Sequence, residues 1–598
     1  MQRRPKVGFV SLGCPKNLVD SEVMMGLLHH NGAELTPRAE DAEIIVINTC
    51  SFIDSAKQES VNTILEMVQH KVGGAAGGKA QRIIVAGCLV ERYRDEIRRN
   101  IPEVDAVVGT GELEAILSAA GLTPSGHASN SPFQILPQDV DQPSVDAHLQ
   151  HDLAIQDDLL VNDPLVSREL VSRAASAVSQ HSRPLADPEH GREIAPQLRI
   201  VQSLVETGTT HGDEPLNHSG DHIERGIDPG NTSRSLSHLD SVADHSGSKL
   251  ASRPEGDLRL QQGRFSRESW DGATAALPEY LYNDATPRIL TTPRASAYIK
   301  IAEGCDHPCS FCIIPQLRGK FRSRRMGSII AEAQNLIAQG VREITLIGQD
   351  TTCYGEDLGL KEGLAQLLDA LAVLPGLRWL RFLYTYPNKV TTRLLETMAK
   401  HATIAKYLDV PLQHASASVL KTMKRGGNAA LFLQLIEKAR RIVPGIVIRT
   451  SFIVGFPGET ETDFEELCTF VRAAKIDWLG VFTYSDEDGA KAFELDASTK
   501  LAQRTIQARR RKLMRLQQKI SMKSKAAWVG REIDLLVEGE SEETELLWEG
   551  RTPLHAPEID GKVFINDFGP HETLVPGTFY RAEITESHDY DVIARILE

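Results

Sequence analysis

The sequence predicts an α/β protein with three folded parts: an N-terminal parallel sheet, a partial (β/α)6 barrel and a C-terminal small antiparallel β-barrel. Three observations predict this architecture. Continuous apolar runs alternate with helices over residues 1–122, as in a parallel sheet covered on both faces. Six strand–helix patterns follow one another over residues 278–523, as in a β/α barrel. Five short strands separated by turns fill residues 524–598, as in a small barrel.

Cysteines follow the first three strands of the N-terminal part. The predicted strands are Val7–Leu12, Glu43–Asn48, Arg82–Ala86 and Asp105–Gly109. Cys14, Cys50 and Cys88 come after the first three, with gaps of 36 and 38 residues, about one β–α–β unit each. Because parallel strands end at one edge of the sheet, we expect the three thiols to meet there. The alternative is three buried thiols that act as small apolar groups, but burial alone does not put them at the same point of successive repeats.

The segment 123–277 differs in composition from its neighbours. Between Gln134 and Arg264 it has no Phe, Trp, Tyr, Cys or Met, and residues 124–278 hold ten of the 19 histidines. Without large apolar side chains such a segment cannot offset the entropy of ordering, so we expect a disordered linker. The irregular spacing of the histidines favours solvated side chains over a metal site.

The barrel region begins with a strand that runs into a cysteine-rich loop. The predicted strands are 297–302, 343–347, 377–383, 407–412, 446–454 and 478–484. Cys305, Cys309 and Cys312 follow the first strand, at the strand end where barrel enzymes carry their chemistry. A four-iron cluster usually takes four cysteines. Three cysteines on one short loop would therefore leave one iron open to a small molecule.

Zinc is the alternative occupant of this loop. A structural zinc site needs four protein ligands, commonly from two C-x2-C pairs. The loop has one such pair, and His307, which would have to be the fourth ligand, lies inside the same tight turn. The spacing therefore favours an iron–sulfur cluster.

The C-terminal part combines a basic helix with an acidic barrel. Residues 504–528 form one long basic helix with few breaks, and short strands are predicted at 533–537, 546–551, 562–565, 579–584 and 590–596. From Trp528 to Glu598 there are 17 Asp and Glu against 5 Lys and Arg. Because RNA binding depends on cations that neutralise phosphates, this barrel does not suit RNA.

The bulk composition indicates a cytoplasmic protein. Eight cysteines in 598 residues are few, and this number fits a reducing compartment better than a disulfide framework. No apolar run reaches the length of a membrane span. The apolar stretch after the basic N-terminus is too short for a signal peptide.

Taken together, the chain resembles the methylthiotransferases of the radical S-adenosylmethionine (SAM) superfamily. The motifs that carry the resemblance are Leu12-Gly-Cys-Pro-Lys-Asn-Leu-Val-Asp-Ser-Glu, Ile301-Ala-Glu-Gly-Cys-Asp-His-Pro-Cys-Ser-Phe-Cys, Pro411-Leu-Gln-His-Ala-Ser, Phe452-Ile-Val-Gly-Phe-Pro-Gly-Glu-Thr and His555-Ala-Pro-Glu-Ile-Asp-Gly. The last is similar to the branch of the family that acts on ribosomal protein S12. The resemblance covers residues 1–120 and 277–598, and it implies that the C-terminal barrel is a TRAM domain.

The resemblance also implies cofactors and their ligands. SAM and two [4Fe-4S] clusters are expected, one on Cys305, Cys309 and Cys312 and an auxiliary one on Cys14, Cys50 and Cys88. Phe311 is expected near the adenine of SAM, and Gln349, Asp350 and Gly455 near the rest of that molecule. Gln349 and Asp350 could equally form an ordinary polar turn, and Gly455 could simply make the turn before a helix. The basic run 318–325 is expected to be a solvated face, with one arginine at the SAM carboxylate as the alternative.

The substrate is a separate question. The family implies methylthiolation of an aspartate β-carbon in S12, with an electron donor such as flavodoxin or ferredoxin and a sulfur source as further partners. The runner-up is methylthiolation of an adenosine in transfer RNA, and a third reading is a non-catalytic metal-binding module. The acidic C-terminal barrel favours the basic protein, so no direct RNA substrate is expected.

Overall fold

The computed structural model describes most of the chain outside the predicted linker. The described residues are 4–123, 133–135, 278–293, 295–541 and 544–598. The prediction of disorder over 123–277 thus falls almost wholly outside the described residues. Within that range, Phe133–Ile135 forms a strand, β6, that pairs in parallel with β7, Arg288–Leu290; three residues are too few for the sequence pattern to reveal.

The N-terminal domain is a five-stranded parallel sheet in the order β2-β1-β3-β4-β5. Its strands are β1 (Lys6–Ser11), β2 (Glu34–Leu35), β3 (Ile44–Thr49), β4 (Arg82–Gly87) and β5 (Ala106–Val108). Its helices are α1 (Pro15–His30), α2 (Asp54–Val68), α3 (Cys88–Asn100) and α4 (Ile116–Ala120). All six residues of β3 are buried, because a parallel strand with helices on both faces has no solvated side. The four predicted strands are confirmed, and the two-residue β2 was not predicted.

The central domain is the predicted partial barrel of six parallel strands. They are β8 (Ser296–Lys300), β11 (Glu343–Ile347), β12 (Trp379–Phe382), β13 (Tyr407–Asp409), β14 (Val447–Val454) and β15 (Trp478–Thr483). They form two three-stranded sheets, β12-β11-β8 and β13-β14-β15. Leu380 of β12 forms a parallel bridge with Ile404, three residues before β13. Each predicted strand is confirmed to within three residues.

Helices and one short ribbon complete the central domain. The helices are α5 (Ile314–Arg318), α6 (Met326–Ala338), α7 (Gly363–Leu371), α8 (Thr392–Lys400), α9 (Ala417–Thr422), α10 (Ala429–Ile442) and α11 (Glu461–Ala474). A capping box between Thr460 and Asp463 begins α11, where the side chains satisfy the free N–H groups of the first turn. After the first barrel strand, β9 (Ala302–Glu303) pairs antiparallel with β10 (Arg322–Ser323) and holds the three-cysteine loop, residues 305–312, between them.

The C-terminal domain is a closed five-stranded barrel that follows one long helix. The helix α12 spans Gln503–Ala526, and the strands are β16 (Glu532–Ser541), β17 (Thr544–Arg551), β18 (Val563–Asp567), β19 (Phe579–Ser587) and β20 (Val592–Ile596). The order is β16-β17-β18-β20-β19. The barrel was predicted to be antiparallel, but β18 and β20 pair in parallel. The chain leaves β18, forms β19 on the far side of β20 in the strand order, and then returns as β20. Alternating hydrophobicity does not show such a path.

The C-terminal barrel is joined to the central domain by buried charges. Arg551 donates to Glu343 at 2.7 Å, and both side chains are buried. Glu343 begins β11, and Trp478, which begins β15, donates its indole N–H to Leu554 O at 3.0 Å. The barrel therefore contacts the edge where the central strands begin, and it leaves the carboxyl edge to the cysteines.

Candidate metal centres

The three N-terminal cysteines lie at one edge of the parallel sheet, as the sequence predicted. Cys14 is the residue before α1, Cys50 directly follows β3, and Cys88 begins α3 after β4. The strands β1, β3 and β4 are neighbours in the sheet. Their carboxyl ends are therefore adjacent, and the three thiols share one small region of the edge.

Asn17 connects the backbone segments around these three thiols by hydrogen bonds. Its Nδ2 donates to Leu12 O at 2.9 Å and to Thr49 O at 3.0 Å, which joins the ends of β1 and β3. Its Oδ1 lies 3.8 Å from Cys88 Sγ. Gly13 has a φ of +92°, and a Cβ at that position would meet Cys50 at 2.9 Å; only glycine fits there.

Cationic side chains surround the N-terminal cysteines. Burial opposes ionisation of Cys14, yet the charges of Lys16 and Arg318 outweigh it and lower the pKa of this thiol. For Cys88 burial prevails and raises the pKa to about 11, against the opposing effect of Arg318. Burial and the neighbouring thiols also raise the pKa of Cys50. Three thiol donors beside two cations fit a group that binds thiolates and carries negative charge.

Arg318 connects this region to the three-cysteine loop. Its guanidinium donates to Asp20 at 2.7 Å, to Glu303 at 3.3 Å and also to Asn17. Glu303 is two residues before Cys305, while Asp20 lies in α1, six residues after Cys14. Buried ion pairs of this kind fix geometry, because a charge left without its partner is costly.

The basic run 318–325 is therefore not the solvated face that the sequence suggested. Arg318 and Arg324 are 2% and 3% exposed, and Arg324 pairs with the buried Glu332. Lys320 and Arg325 are exposed, as expected. Asp20 is 298 residues away from Arg318, so no local pattern reveals that pairing.

The three-cysteine loop is held by backbone and side-chain contacts on several sides. Cys305 N donates to Gly319 O at 3.2 Å, and Ser310 N donates to Met423 O at 3.0 Å. Arg425 Nη1 lies 3.6 Å from Cys309 Sγ. Burial raises the pKa of Cys305 to about 11 and that of Cys312 to about 12. The loop follows the first barrel strand, and its three thiols with a nearby cation again fit a thiolate-bound, anionic group.

His307, inside the loop, forms a contact that the sequence did not suggest. Its Nε2 is 2.6 Å from Asp350 Oδ2, and its ring stacks on Tyr386 at 3.9 Å between centroids. Cys353 Sγ donates to the same carboxylate oxygen at 3.1 Å. The ligand atoms of these three residues lie within 4.8 Å of one another, but direct hydrogen bonds between them account for that arrangement.

The predicted SAM contacts fall in two places. Gln349 and Asp350 lie just beyond β11, near the loop, where Gln349 Nε2 donates to Glu303 Oε1 at 2.5 Å. Burial raises the pKa of Asp350, but its hydrogen bonds with His307, Thr352 and Cys353 outweigh that effect, so the pKa is lowered. Both side chains are thus engaged with residues that adjoin the cysteines.

Phe311 and Gly455 have structural partners. Phe311 is half-buried and packs against the main core. Gly455 has a φ of +81°, and a Cβ there would meet Ile506 at 2.5 Å. The close approach at Gly455 is therefore to α12, which gives this glycine a reason besides ligand binding. The SAM roles of Phe311, Gln349, Asp350 and Gly455 stay predictions.

The two groups of cysteines lie close to each other. Cys88 packs in one small apolar cluster with Ile313, Leu317 and Ala490, and Ile313 directly follows Cys312. Lys16 Nζ lies 3.3 Å from the centre of the Tyr384 ring, which joins the start of α1 to the end of β12. The carboxyl edge of the N-terminal sheet thus faces the carboxyl edge of the central barrel.

Comparison with known proteins defines the class of this chain. Three family models match it: the uncharacterized protein family UPF0004 over residues 6–109, the radical SAM superfamily over 299–471 and the TRAM domain over 529–597. This combination defines a radical SAM enzyme with an additional N-terminal domain and a TRAM domain. The radical SAM family implies SAM and a [4Fe-4S] cluster.

Full-length relatives narrow the class. The chain is 56% identical to the ribosomal protein uS12 methylthiotransferase RimO of Koribacter versatilis, over 99% of this chain and 96% of that protein. It is 46% identical to the protein of the same name from Solibacter usitatus, over 99% and 95%. The chain belongs to the radical SAM methylthiotransferase family, in the group of these uS12 methylthiotransferases.

Solved structures add little to this assignment. A radical SAM methyltransferase, TsrM from Kitasatospora setae, matches with a TM-score of 0.40 and 12% identity, over 80% of this chain and 72% of that one. A likeness at this level supports no argument about substrate. Among the described residues, no helix has both the length and the apolar character needed to cross a membrane.

Proposed function

We propose that this chain places a methylthio group on the β-carbon of an aspartate in ribosomal protein uS12, in the cytoplasm, with SAM as methyl donor and radical source. The observation that carries the proposal is the approach of two three-cysteine groups, on Cys14, Cys50 and Cys88 and on Cys305, Cys309 and Cys312. Each group has three thiols, one fewer than a fully ligated four-iron cluster takes. The full-length relatives are named as uS12 methylthiotransferases, and these names indicate the substrate.

The residues that would hold the two clusters are the six cysteines named above. When bound, the cluster on the loop would supply an electron to SAM, and the auxiliary cluster would supply or hold the sulfur. An electron donor of the flavodoxin or ferredoxin type and a source of sulfur complete the proposed partners. The difficult chemistry belongs to the cofactors, and the protein's part is to position and shield them.

Side chains of this protein would hold the two cysteine groups in a fixed arrangement. Arg318, Glu303 and Asp20 form a buried ionic link between the two cysteine-bearing elements. Arg425 and Lys16 add positive charge near Cys309 and Cys14. These cations offset the negative charge of thiolate ligands, and the side chains of the ionic link are themselves buried.

The charge of the C-terminal barrel supports a protein substrate. Residues 528–598 include 17 Asp and Glu and only 5 Lys and Arg. The exposed acidic residues Glu540, Asp567 and Glu572 lie on different strands and loops. Ribosomal proteins are basic, so complementary charge speeds their encounter with such a surface. Transfer RNA would meet repulsion at this barrel instead.

The test is a reconstituted reaction with isolated uS12. The purified chain, loaded with iron and sulfide without oxygen, is incubated with SAM, a reductant and uS12 from cells that lack this gene. Mass spectrometry should find one methylthio group on an aspartate of uS12. A wild-type protein that cleaves SAM but leaves uS12 unmodified, and modifies transfer RNA instead, contradicts the proposal.

Three alanine variants separate the two centres. Cys309→Ala should lose both deoxyadenosine release and uS12 modification. Cys50→Ala should keep deoxyadenosine release and lose the modification. Cys468→Ala is the matched control, because this buried cysteine lies in α11 among apolar residues and should keep both. Deoxyadenosine release by Cys309→Ala, or modification by Cys50→Ala, would refute the assignment of ligands.

A further inference from the structure

The helix α12 is unusually basic for this protein. It carries nine Lys and Arg and no Asp or Glu over residues 503–526, in a chain of net charge −15. Helices on the surface of a barrel usually mix both signs, because opposite charges four residues apart stabilise the helix. Like charges in these positions destabilise it slightly, so stability of the helix does not explain the composition.

Part of this charge has internal partners. Arg509 donates to Glu459 at 2.7 Å, Lys512 pairs with Glu465, and Lys525 is fully buried. Arg509 and Lys525 are buried and are not available to a partner molecule. Lys512 is exposed, and its pair with Glu465 lies at the surface.

Four of the other six cations of α12 form a continuous basic stripe. Its members are Arg511, Arg515, Lys519 and Lys523, all exposed. They are spaced by four residues and so lie on one face of the helix over about 18 Å. Within the described part of the chain none of the four has an ion-pair partner within 4.0 Å.

A groove runs beside the stripe. It has a volume of about 520 Å³ and is lined by Arg511, Arg515 and Lys519 from α12 and by Arg472 from α11. Arg472 is exposed as well and belongs to the opposite wall. A row of cations with a concave wall concentrates anions, because charges of one sign along a cleft reinforce one another.

We propose that the basic stripe binds ribosomal RNA and so docks the enzyme on uS12 within the small ribosomal subunit rather than on free uS12. This inference rests on the proposed function. The acidic C-terminal barrel follows α12 directly, so the molecule presents a row of cations beside an acidic domain. A ribosomal surface where a basic protein adjoins RNA has the complementary pattern. Free uS12, which is basic, complements only the barrel.

An electron donor fits the stripe less well. The stripe lies on the outer helical layer of the central domain, beside α11 and β15, whereas the three-cysteine loop follows β9 on the opposite end of the strand order. A small electron-transfer protein must approach the iron closely, and a protein bound to the stripe would lie away from the three-cysteine loop. The observations therefore favour RNA.

The test compares two forms of the same substrate. The stripe variant replaces Arg511, Arg515, Lys519 and Lys523 with Gln. The control variant replaces four cations on other helices and loops of the central domain with Gln: Lys361, Lys421, Lys438 and Arg441. Each protein is assayed, at low and at moderate salt, on small ribosomal subunits and on isolated uS12 from cells that lack this gene.

The stripe variant should lose at least about tenfold in kcat/KM on subunits and keep wild-type activity on isolated uS12, while the control variant keeps both. In filter binding to the subunits, the decrease of log K with log salt should become less steep by up to about 3.6, since each of the four lost phosphate contacts removes about 0.7 to 0.9 from the slope. Wild-type activity of the stripe variant on both substrates means a merely solvated face and overturns the proposal.

Two further outcomes are distinguishable. A stripe variant that cleaves SAM slowly with a flavodoxin but normally with dithionite identifies an electron-donor site and overturns RNA docking. If wild-type protein modifies neither substrate, the proposed function fails. The binding measurement still decides the stripe in that case: an unchanged salt slope refutes it.

Discussion

Arg318 Nη1 lies 2.7 Å from Asp20 Oδ2, and both side chains are buried. The pair joins α5, directly after the three-cysteine loop, to α1, which begins after Cys14. The same guanidinium also contacts Glu303 and Asn17. One arginine thus links the N-terminal cysteines to the loop that carries the other three.

Replacing Arg318 should uncouple the two centres. Arg318→Gln leaves Asp20 and Glu303 with one cation, Lys300, in place of two, and loss of a buried partner costs about 3 to 5 kcal/mol. We expect iron content to fall from about eight to about four per chain, with deoxyadenosine release largely kept and uS12 modification lost. Iron and sulfide analysis beside SAM cleavage measures this. Lys320→Gln, an exposed neighbour, is the control. Full iron content with normal modification would show that Arg318 is not needed.

Asp350 should position the three-cysteine loop through His307. Asp350→Asn keeps the size of the side chain but removes the charge opposite His307, and a hydrogen bond to a charged group contributes about 1.5 to 3 kcal/mol. We expect unchanged iron content and a KM for SAM raised about tenfold.

The control is Cys353→Ala, since Cys353 only donates to the same carboxylate and its loss leaves the His307 contact intact. The readouts are KM for SAM and kcat for deoxyadenosine release, measured separately. If Asp350→Asn instead loses iron, the carboxylate supports cluster binding and not SAM.

The attachment of the C-terminal barrel depends on Arg551. Burial raises the pKa of Glu343, but Arg551 and Arg381 outweigh that effect and lower it, so Glu343 is charged and needs its partners. Arg551→Met should destabilise the protein by about 3 kcal/mol and expose the barrel to proteolysis. Arg595→Met, whose pair with Glu583 is half-exposed, should cost less than about 1 kcal/mol. Thermal unfolding and limited proteolysis compare the two, and equal effects would contradict the role given to burial.

The sequence predicted the parts of the fold that depend on local pattern. Long apolar strands such as β3 and β14 are evident from their residues, and the position of Cys14, Cys50 and Cys88 follows from the shared edge of parallel strands. Pairings between distant residues are not evident. Arg318 and Asp20 are 298 residues apart, and the run that contains Arg318 looks like any solvated basic segment.

The same limit applies to His307 and to the C-terminal barrel. His307 stood in the sequence as a possible zinc ligand, but its partner Asp350 comes from the next barrel strand, 43 residues away. The parallel pairing of β18 with β20 depends on the order of the strands in the barrel. Alternation of apolar residues does not show this order, because it is the same for parallel and antiparallel neighbours. Topology and buried charge pairing therefore required the structure.

Lys525 should make stability depend on pH in the alkaline range. It is fully buried, its Nζ lies 3.4 Å from the centre of the Trp478 ring, and this atom has no hydrogen-bond partner among the described residues. Burial lowers its pKa to about 8, although Asp477, Asp560 and Asp591 act in the opposite direction. In the unfolded chain the pKa of lysine is about 10.4. Between these two values the unfolded state binds more protons than the folded state, so the free energy of unfolding rises with pH.

The matched variant is Lys525→Met, which keeps the apolar stem and removes the charge. Below pH 8 it should be more stable than wild type by at most about 3 kcal/mol, because wild type there bears the full cost of the buried ammonium. The gap should narrow from pH 8 to about 10.4 as Lys525 of the folded wild type becomes neutral. Thermal unfolding of both loaded proteins at intervals across this window measures the gap, and the difference between them cancels the titration of other groups. A gap that stays constant with pH would show that Lys525 is not the titrating group.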